Sequence, residues 1–174
     1  MTYNIDPKHS AAHFQVRHMT IAFVKGEFGN VTGSIEFDPA NPGATKVDCS
    51  IEVASLYTRD PARDGHIKTP DILNAEAHPT VTFKSTSAAA AGSGYTVKGN
   101  LTMRGATKEV TLNVTNVSDE VTDPWNLKRR GATASAKIKR NDFGMGWNMD
   151  VPGVGPMVSD EVEVGLDIEF ARPA

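Results

Sequence analysis

Along most of the chain apolar residues recur at every second position, and the 3.6-residue spacing of amphipathic helices is nearly absent. Phe14, Val16 and His18 share one face of the first clear run. Val31, Gly33, Ile35 and Phe37 share a face of another, which stops at "DPANPG", a cluster of turn-forming residues. In "KVDCSIEVASL" the pattern puts Val47, Cys49, Ile51 and Val53 on one side and Asp48, Ser50 and Glu52 on the other. The same alternation returns in "TVTFKST", "YTVKGNLTM", "EVTLNV" and "EVEVGLDIEF". The intervening "AAAAGSG" and "RGATK" read as hairpin connections. The pattern predicts an all-β fold of half-buried antiparallel strands.

Residues 58–79, "TRDPARDGHIKTPDILNAEAHP", do not alternate and carry two short helical turns. Thr69 before Pro70 fits an N-cap followed by proline at the first helical position. A crossover of this length can cap one end of a barrel. In "GATASAKIKR" the inward-phase residues Ala132, Ala134 and Ala136 are all small, where a packed core would use branched or aromatic side chains. An antiparallel sheet of about eight strands, closed as in lipocalins, has an interior wide enough for one small ligand. A helix, or large side chains from opposite strands, would fill the same gap equally well.

At 174 residues the chain is expected to form a single domain over 1–174. A net charge of -3, with no basic run longer than Lys128-Arg129-Arg130, leaves no footprint for nucleic acid. No apolar stretch approaches the roughly 20 residues of a membrane helix. The N-terminus lacks the basic region and apolar core of a signal peptide, so the chain as written reads as cytoplasmic. A trimmed precursor, periplasmic or secreted, would leave the same sequence. Cys49 is the only cysteine and shares a phase with Val47 and Ile51, which fits a buried small hydrophobe. His13 and His18 lie on opposite faces of their strand and His9 precedes it, so no metal site is expected from them.

In order along the chain, "DPKHSAAHFQVRHM", "GEFGNVTGSIEFDP", the 58–79 block continuing into "TVTFKST", "GNLTMRGATKEVTLNV", "RNDFGMGWN" and "VSDEVEVGLDIE" form a set of consecutive motifs. With them the chain resembles the YceI-like polyisoprenoid-binding family. The resemblance implies an extended, lipocalin-like β-barrel with a short helical crossover, holding a long isoprenoid or acyl lipid and needing no other cofactor. Ile72 and Leu73 stand where the family commonly has aromatic residues, and "AEAH" precedes Pro79. Those departures bear on pocket length and on ligand identity.

By phase, the expected lining comprises Phe14, Val16, Ile35, Ile51, Val53, Phe83, Leu101, Met103, Leu112, Ala134, Ala136, Leu166 and Ile168. Phe143 and Trp147, among glycines, are candidates for an aromatic gate. Arg17, His18, Arg63, Asp64 and His66 are candidates for a polar rim that either contacts a head group or stabilises the fold, with Arg63 and Asp64 expected to pair. The leading expectation is a non-enzymatic carrier or sequestering protein with no catalytic residues. The alternatives are a hydrolase or isomerase acting on an amphiphile with His18 or His66 as base, and a dimerising module whose apolar faces simply pack. A homodimer is compatible with any of these, because barrels with exposed strand edges associate.

Overall fold

A computed structural model describes residues 1–174. The alternating runs form β1 (Thr2–Ile5), β2 (Ala11–His18), β3 (Ala22–Phe28), β4 (Val31–Glu36), β5 (Lys46–Glu52), β6 (Leu56–Tyr57), β7 (Thr80–Ala91), β8 (Gly94–Met103), β9 (Ala106–Thr115), β10 (Val121–Thr122), β11 (Leu127–Lys139), β12 (Asp150–Val151), β13 (Gly155–Pro156) and β14 (Val158–Pro173). One helix, α1 (Pro61–Lys68), interrupts them.

Six of the short strands are halves of three bent ones. β1 and β2 pair with successive parts of β14, and β4 and β3 pair in turn with β1 and β2. β5 and β6 continue the same way along β4 and β3. Counted so, eight strands follow each other in chain order, each antiparallel to the next, and β14 closes on β11 and on the first. The result is a closed up-and-down barrel, which removes the exposed edges an open sheet would carry. The β11–β14 seam is the longest, running from Leu127↔Pro173 to Lys139↔Glu161. The β9–β11 seam is the shortest, with Thr133, Ala134 and Ser135 opposite Thr115, Val114 and Asn113.

Chain direction sorts the connections to two ends. The upper end holds the β2–β3 turn, the α1 crossover, the Arg104–Gly105 turn and residues 140–157. The lower end holds both termini, the 37–45 loop, the Gly92–Ser93 turn and residues 116–126.

Two local expectations are corrected. The helix starts one Xaa-Pro step earlier than Thr69–Pro70: Asp60 is the N-cap, accepting from the N–H groups of Ala62 and Arg63 at 3.0 and 3.2 Å, and Pro61 is the first helical residue. Thr69 instead ends that helix, as a residue before proline is pushed to extended backbone. Asn74 then turns left-handed (φ 51°), too soon for a second helix. The alanine run Ala88–Ala91 is strand rather than turn, paired from Ala88↔Val97 to Ala91↔Gly94, and the reversal is left to Gly92 (φ 59°) and Ser93.

Each end has its own plug. At the upper end Val53, Leu73, Val81, Met103, Phe143 and Met145 form a buried cluster under the crossover. At the lower end Tyr3, Phe37 and Phe170 pack together, with Tyr3 edge-on to Phe170 at 5.1 Å. The Tyr3 hydroxyl donates to Glu120 at 2.6 Å, and Glu120 also accepts from Arg172 at 3.0 Å. Beside this plug Arg129 donates to Asp6 at 2.7 Å, to Glu169 at 2.6 Å and to Asp123 at 2.6 Å, tying β11 to the β1–β2 corner, to β14 and to the 116–126 segment.

Hydrogen bonds from His9 and Arg129 hold the Asp6 carboxyl well below the usual carboxylate range. Burial alone would raise Asp123, but Arg129 and the N–H groups of Leu127 and Trp125 lower it. Carboxylates depressed in the folded state add stability that is complete above the unfolded-state value of about 4 and is lost as pH falls from there toward the folded values. Arg129→Met is therefore expected to melt below the wild type at pH 7, with the gap closing as pH drops under about 4. Thermal unfolding followed by circular dichroism across that range checks this; a gap independent of pH would show that the ion cluster is not its cause.

Candidate functional site

The barrel interior stays open because of which residues face it. On β11 the inward positions Ala132, Ala134 and Ala136 lie opposite Ile168, Leu166 and Val164 of β14, so one wall segment contributes almost no side-chain depth. On two other strands the inward position is glycine, and a neighbouring ring lies across it. A Cβ on Gly26 would sit 2.4 Å from the Phe14 ring, and one on Gly99 would sit 2.4 Å from the Phe83 ring. The rings thus flatten against the wall, in the manner of aromatic residues covering sheet glycines, and do not project to the axis. What remains is a cavity of about 560 Å³, within the usual range for small-molecule sites.

Of 44 residues lining it, 38 are hydrophobic. They include Phe14, Val16, Ile35, Ile51, Phe83, Leu101, Met103, Leu112, Ala134, Ala136, Leu166, Ile168 and Trp147 from the sequence-based set. Val53 and Phe143 do not line it. β5 ends at Glu52, so Val53 enters a 3-10 turn, leaves the alternating phase and packs under Leu73 in the upper plug. Phe143 ends a 3-10 turn (Arg140–Phe143) closed by left-handed Gly144 (φ 73°) and is buried in the same plug. Phe143 is therefore part of the seal and no gate.

The six polar lining residues are His13, His18, Thr45, Arg63, His66 and Arg140. Four of them, His18, Arg63, His66 and Arg140, converge on the upper end beside Trp147, Met157 and Val158, and this is the mouth. The His66 ring meets Trp147 edge-on at 4.6 Å, which brings α1 against the 140–157 segment. Arg17, by contrast, points outside and covers Phe23 at 4.0 Å. Arg63 and Asp64 do not pair with each other; both hold buried Thr58. Arg63 donates from Nε to the Thr58 hydroxyl at 3.0 Å and from Nη2 to its carbonyl at 2.7 Å, while the Asp64 carboxylate accepts from the Thr58 N–H at 2.8 Å and from its hydroxyl. Asp64 fixes the start of the crossover and stays outside the cavity.

The alternating pattern gave no sign of Arg140. Its guanidinium is buried and donates to the carbonyls of Met145 at 2.9 Å, Trp147 at 3.2 Å, Ser159 at 2.9 Å and Val158 at 3.4 Å. It gathers the mouth segment around one charge, and burial lowers its pKa from the usual value, with Asp160 opposing. A long charged side chain at a strand end normally reads as solvated, so only the absence of other charge in "FGMGW" hinted at burial.

His13 and His9 stand apart from the mouth. His13 faces Asp167 at 3.2 Å and Glu27 at 3.6 Å. His9 sits with Asp6 and Glu169, close enough to share a cation, but Arg129 already donates to both carboxylates. Cys49 faces the cavity from β5 beside Val47 and Ile51, and burial pushes its thiol up to about 11.

A family profile described as a YceI-like domain matches residues 3–170. A UPF0312 protein of Pseudomonas aeruginosa is 38% identical over 172 residues, which span 98% of this chain and 86% of the relative. Among solved structures, BcnA of Burkholderia cenocepacia superposes with a TM-score of 0.82 at 25% identity, over 95% of this chain and 98% of its own. A polyisoprenoid binding domain from Saccharophagus degradans, implicated in plant cell wall breakdown, shares the fold with a TM-score of 0.68 at 16% identity over 98% of both chains. From these matches, and from the closed barrel they share, the chain belongs to the YceI-like family.

Proposed function

We propose that the protein binds a polyisoprenoid or similar long-chain lipid inside the barrel, without chemical turnover, for transport, storage or sequestration. The observation that carries this reading is the polarity of the cavity: its walls are apolar along the axis, and four of its six polar residues stand together at the mouth. An amphiphile fits that arrangement in one direction, with its polar end beside His18, Arg63 and His66 and its chain directed toward Phe37, Tyr95 and Val117. The polyisoprenoid binding domain of the same fold supports the class of ligand. Burial of each CH2 contributes about 0.8 kcal/mol, so chain length governs affinity until the lower plug is reached.

Native mass spectrometry of the purified protein, with lipid analysis of an organic extract, is expected to show a stoichiometric long-chain lipid, or uptake of one on incubation with polyprenols or fatty-acyl amphiphiles. A chain that stays free of lipid after both incubations would overturn the proposal. Ala134→Phe combined with Ala136→Phe adds bulk to the thinnest wall; we expect binding to fall at least tenfold, about 1.4 kcal/mol, with the circular dichroism spectrum unchanged. Retained affinity would place the ligand elsewhere. Cys49 supplies an occupancy reading. With its thiol raised to about 11, alkylation should be slow at neutral pH and accelerate only as pH climbs toward that value. Bound lipid should slow it further, and an unchanged rate would mean that the lipid does not reach β5.

A further inference from the structure

We infer that the upper end of the barrel docks onto an anionic bilayer surface, so that lipid passes between membrane and cavity through the mouth. This rests on the reading of the cavity as a lipid site. Five of the eight exposed large hydrophobic residues, Ile21, Phe23, Tyr57, Met149 and Val154, belong to upper-end turns and strand ends. Ile21 is 73% exposed, Met149 54% and Val154 42%. Apolar side chains so clustered mark contact with another apolar phase.

Four of these residues, Ile21, Phe23, Met149 and Val154, sit on two hairpins held side by side. In the β2–β3 turn both Met19 (φ 49°) and Thr20 (φ 63°) are left-handed, and the Ile21 N–H returns to the His18 carbonyl at 3.1 Å. The turn is tight and its Ile21 side chain is left at the tip. The second hairpin is β12–β13, closed at its base by the Met157 N–H on the Met149 carbonyl at 2.7 Å. The Met19 N–H donates to the Met157 carbonyl at 2.8 Å and joins the two. The same bases reach the cavity, since His18 and Met157 line its mouth. The apolar tips and the apolar lumen thus meet at shared residues.

Charge selects the partner. From Phe14 to Gly26 the chain carries Arg17, His18 and Lys25 and no acid, and Arg17 is held flat on the outward Phe23 ring. From Phe143 to Ser159 the single charged residue is Asp150, with Asp142 and Asp160 flanking the segment, so the basic character lies on the β2–β3 hairpin. Apolar tips flanked by Arg17 and Lys25 suit insertion among lipid head groups with anionic ones beside them. A water-insoluble chain then moves between two apolar phases without crossing solvent.

Co-sedimentation with phosphatidylcholine vesicles, with and without phosphatidylglycerol, tests this on the full chain. The wild type is expected to bind the mixed vesicles, to bind phosphatidylcholine alone more weakly, and to lose binding at high salt. The triple variant Ile21→Ser, Met149→Ser, Val154→Ser should lose about tenfold or more in vesicle association and draw polyprenol from vesicles more slowly. It should melt as the wild type does and load polyprenol added from ethanol to the same level. Val121→Ser with Trp125→Ser, at the opposite end, should leave vesicle binding unchanged. Wild-type protein that loads from ethanol yet binds neither vesicle would overturn the docking surface, as would equal losses in the lower-end variant. A triple variant that turns a dimer into a monomer and keeps its vesicle binding would assign the face to a second copy. Failure to load polyprenol from ethanol, with vesicle binding intact, would count against the cavity reading and leave the docking surface standing.

Discussion

The ladder between β11 and β14 joins the last two long strands from Leu127↔Pro173 to Lys139↔Glu161, and β14 in turn carries β1 and β2 on its other edge. With that ladder in place a meander of neighbouring strands becomes a closed wall around a lumen; without it both long edges would face water with unpaired backbone groups. Its inward residues are also the small ones, Ala132, Ala134 and Ala136 against Ile168, Leu166 and Val164. Closure and capacity are therefore properties of the same pair of strands. The other edge of β14 pairs with β1 and β2, from Ile5↔Phe170 to His18↔Val158, across most of the sequence, and contacts of that separation are slow to form.

The two ends divide the remaining work. At the lower end charges face charges: Arg129 with three carboxylates and Arg172 with Glu120 surround an aromatic plug. At the upper end the guanidinium of Arg140 holds the mouth segment through backbone carbonyls rather than carboxylates. A cation bound to neutral dipoles organises a segment without adding a compensating negative charge there. The segment from Phe143 to Ser159 can thus be nearly uncharged and still folded, which is the condition for a mouth that opens toward an apolar phase.

The strands were legible because a period of two survives in most wall segments, and the alanine phase of β11 marked where the wall is thin without showing whether the gap was filled. Legibility ended where the backbone left that period. Val53 and Phe143 keep the composition of lining residues, but each sits in a 3-10 turn and rotates into the upper plug. Asp60-Pro61 and Thr69-Pro70 carry the same capping signal, and only the left-handed Asn74 shows why the second cannot start a helix. Arg17 and His18 are adjacent in sequence and fall on opposite sides of the wall, one on Phe23 and one at the mouth. Arg63 and Asp64 looked like partners for each other because the sequence does not show that buried Thr58 stands between them.

The wall is thinnest in backbone pairing at the β9–β11 seam. Only Asn113–Thr115 and Thr133–Ser135 face each other there, whereas β11–β14, β7–β8 and β8–β9 are laced along most of their length. Above Ser135 the two strands part, and the 3-10 turn at Arg140–Phe143 packs on β9 in place of a ladder. Girth in a barrel is fixed by hydrogen-bond register, and each added rung stiffens it. A circumference laced so lightly beside its opening is most compliant at that join, so any widening of the barrel would begin there while β11–β14, β7–β8 and β8–β9 keep their register.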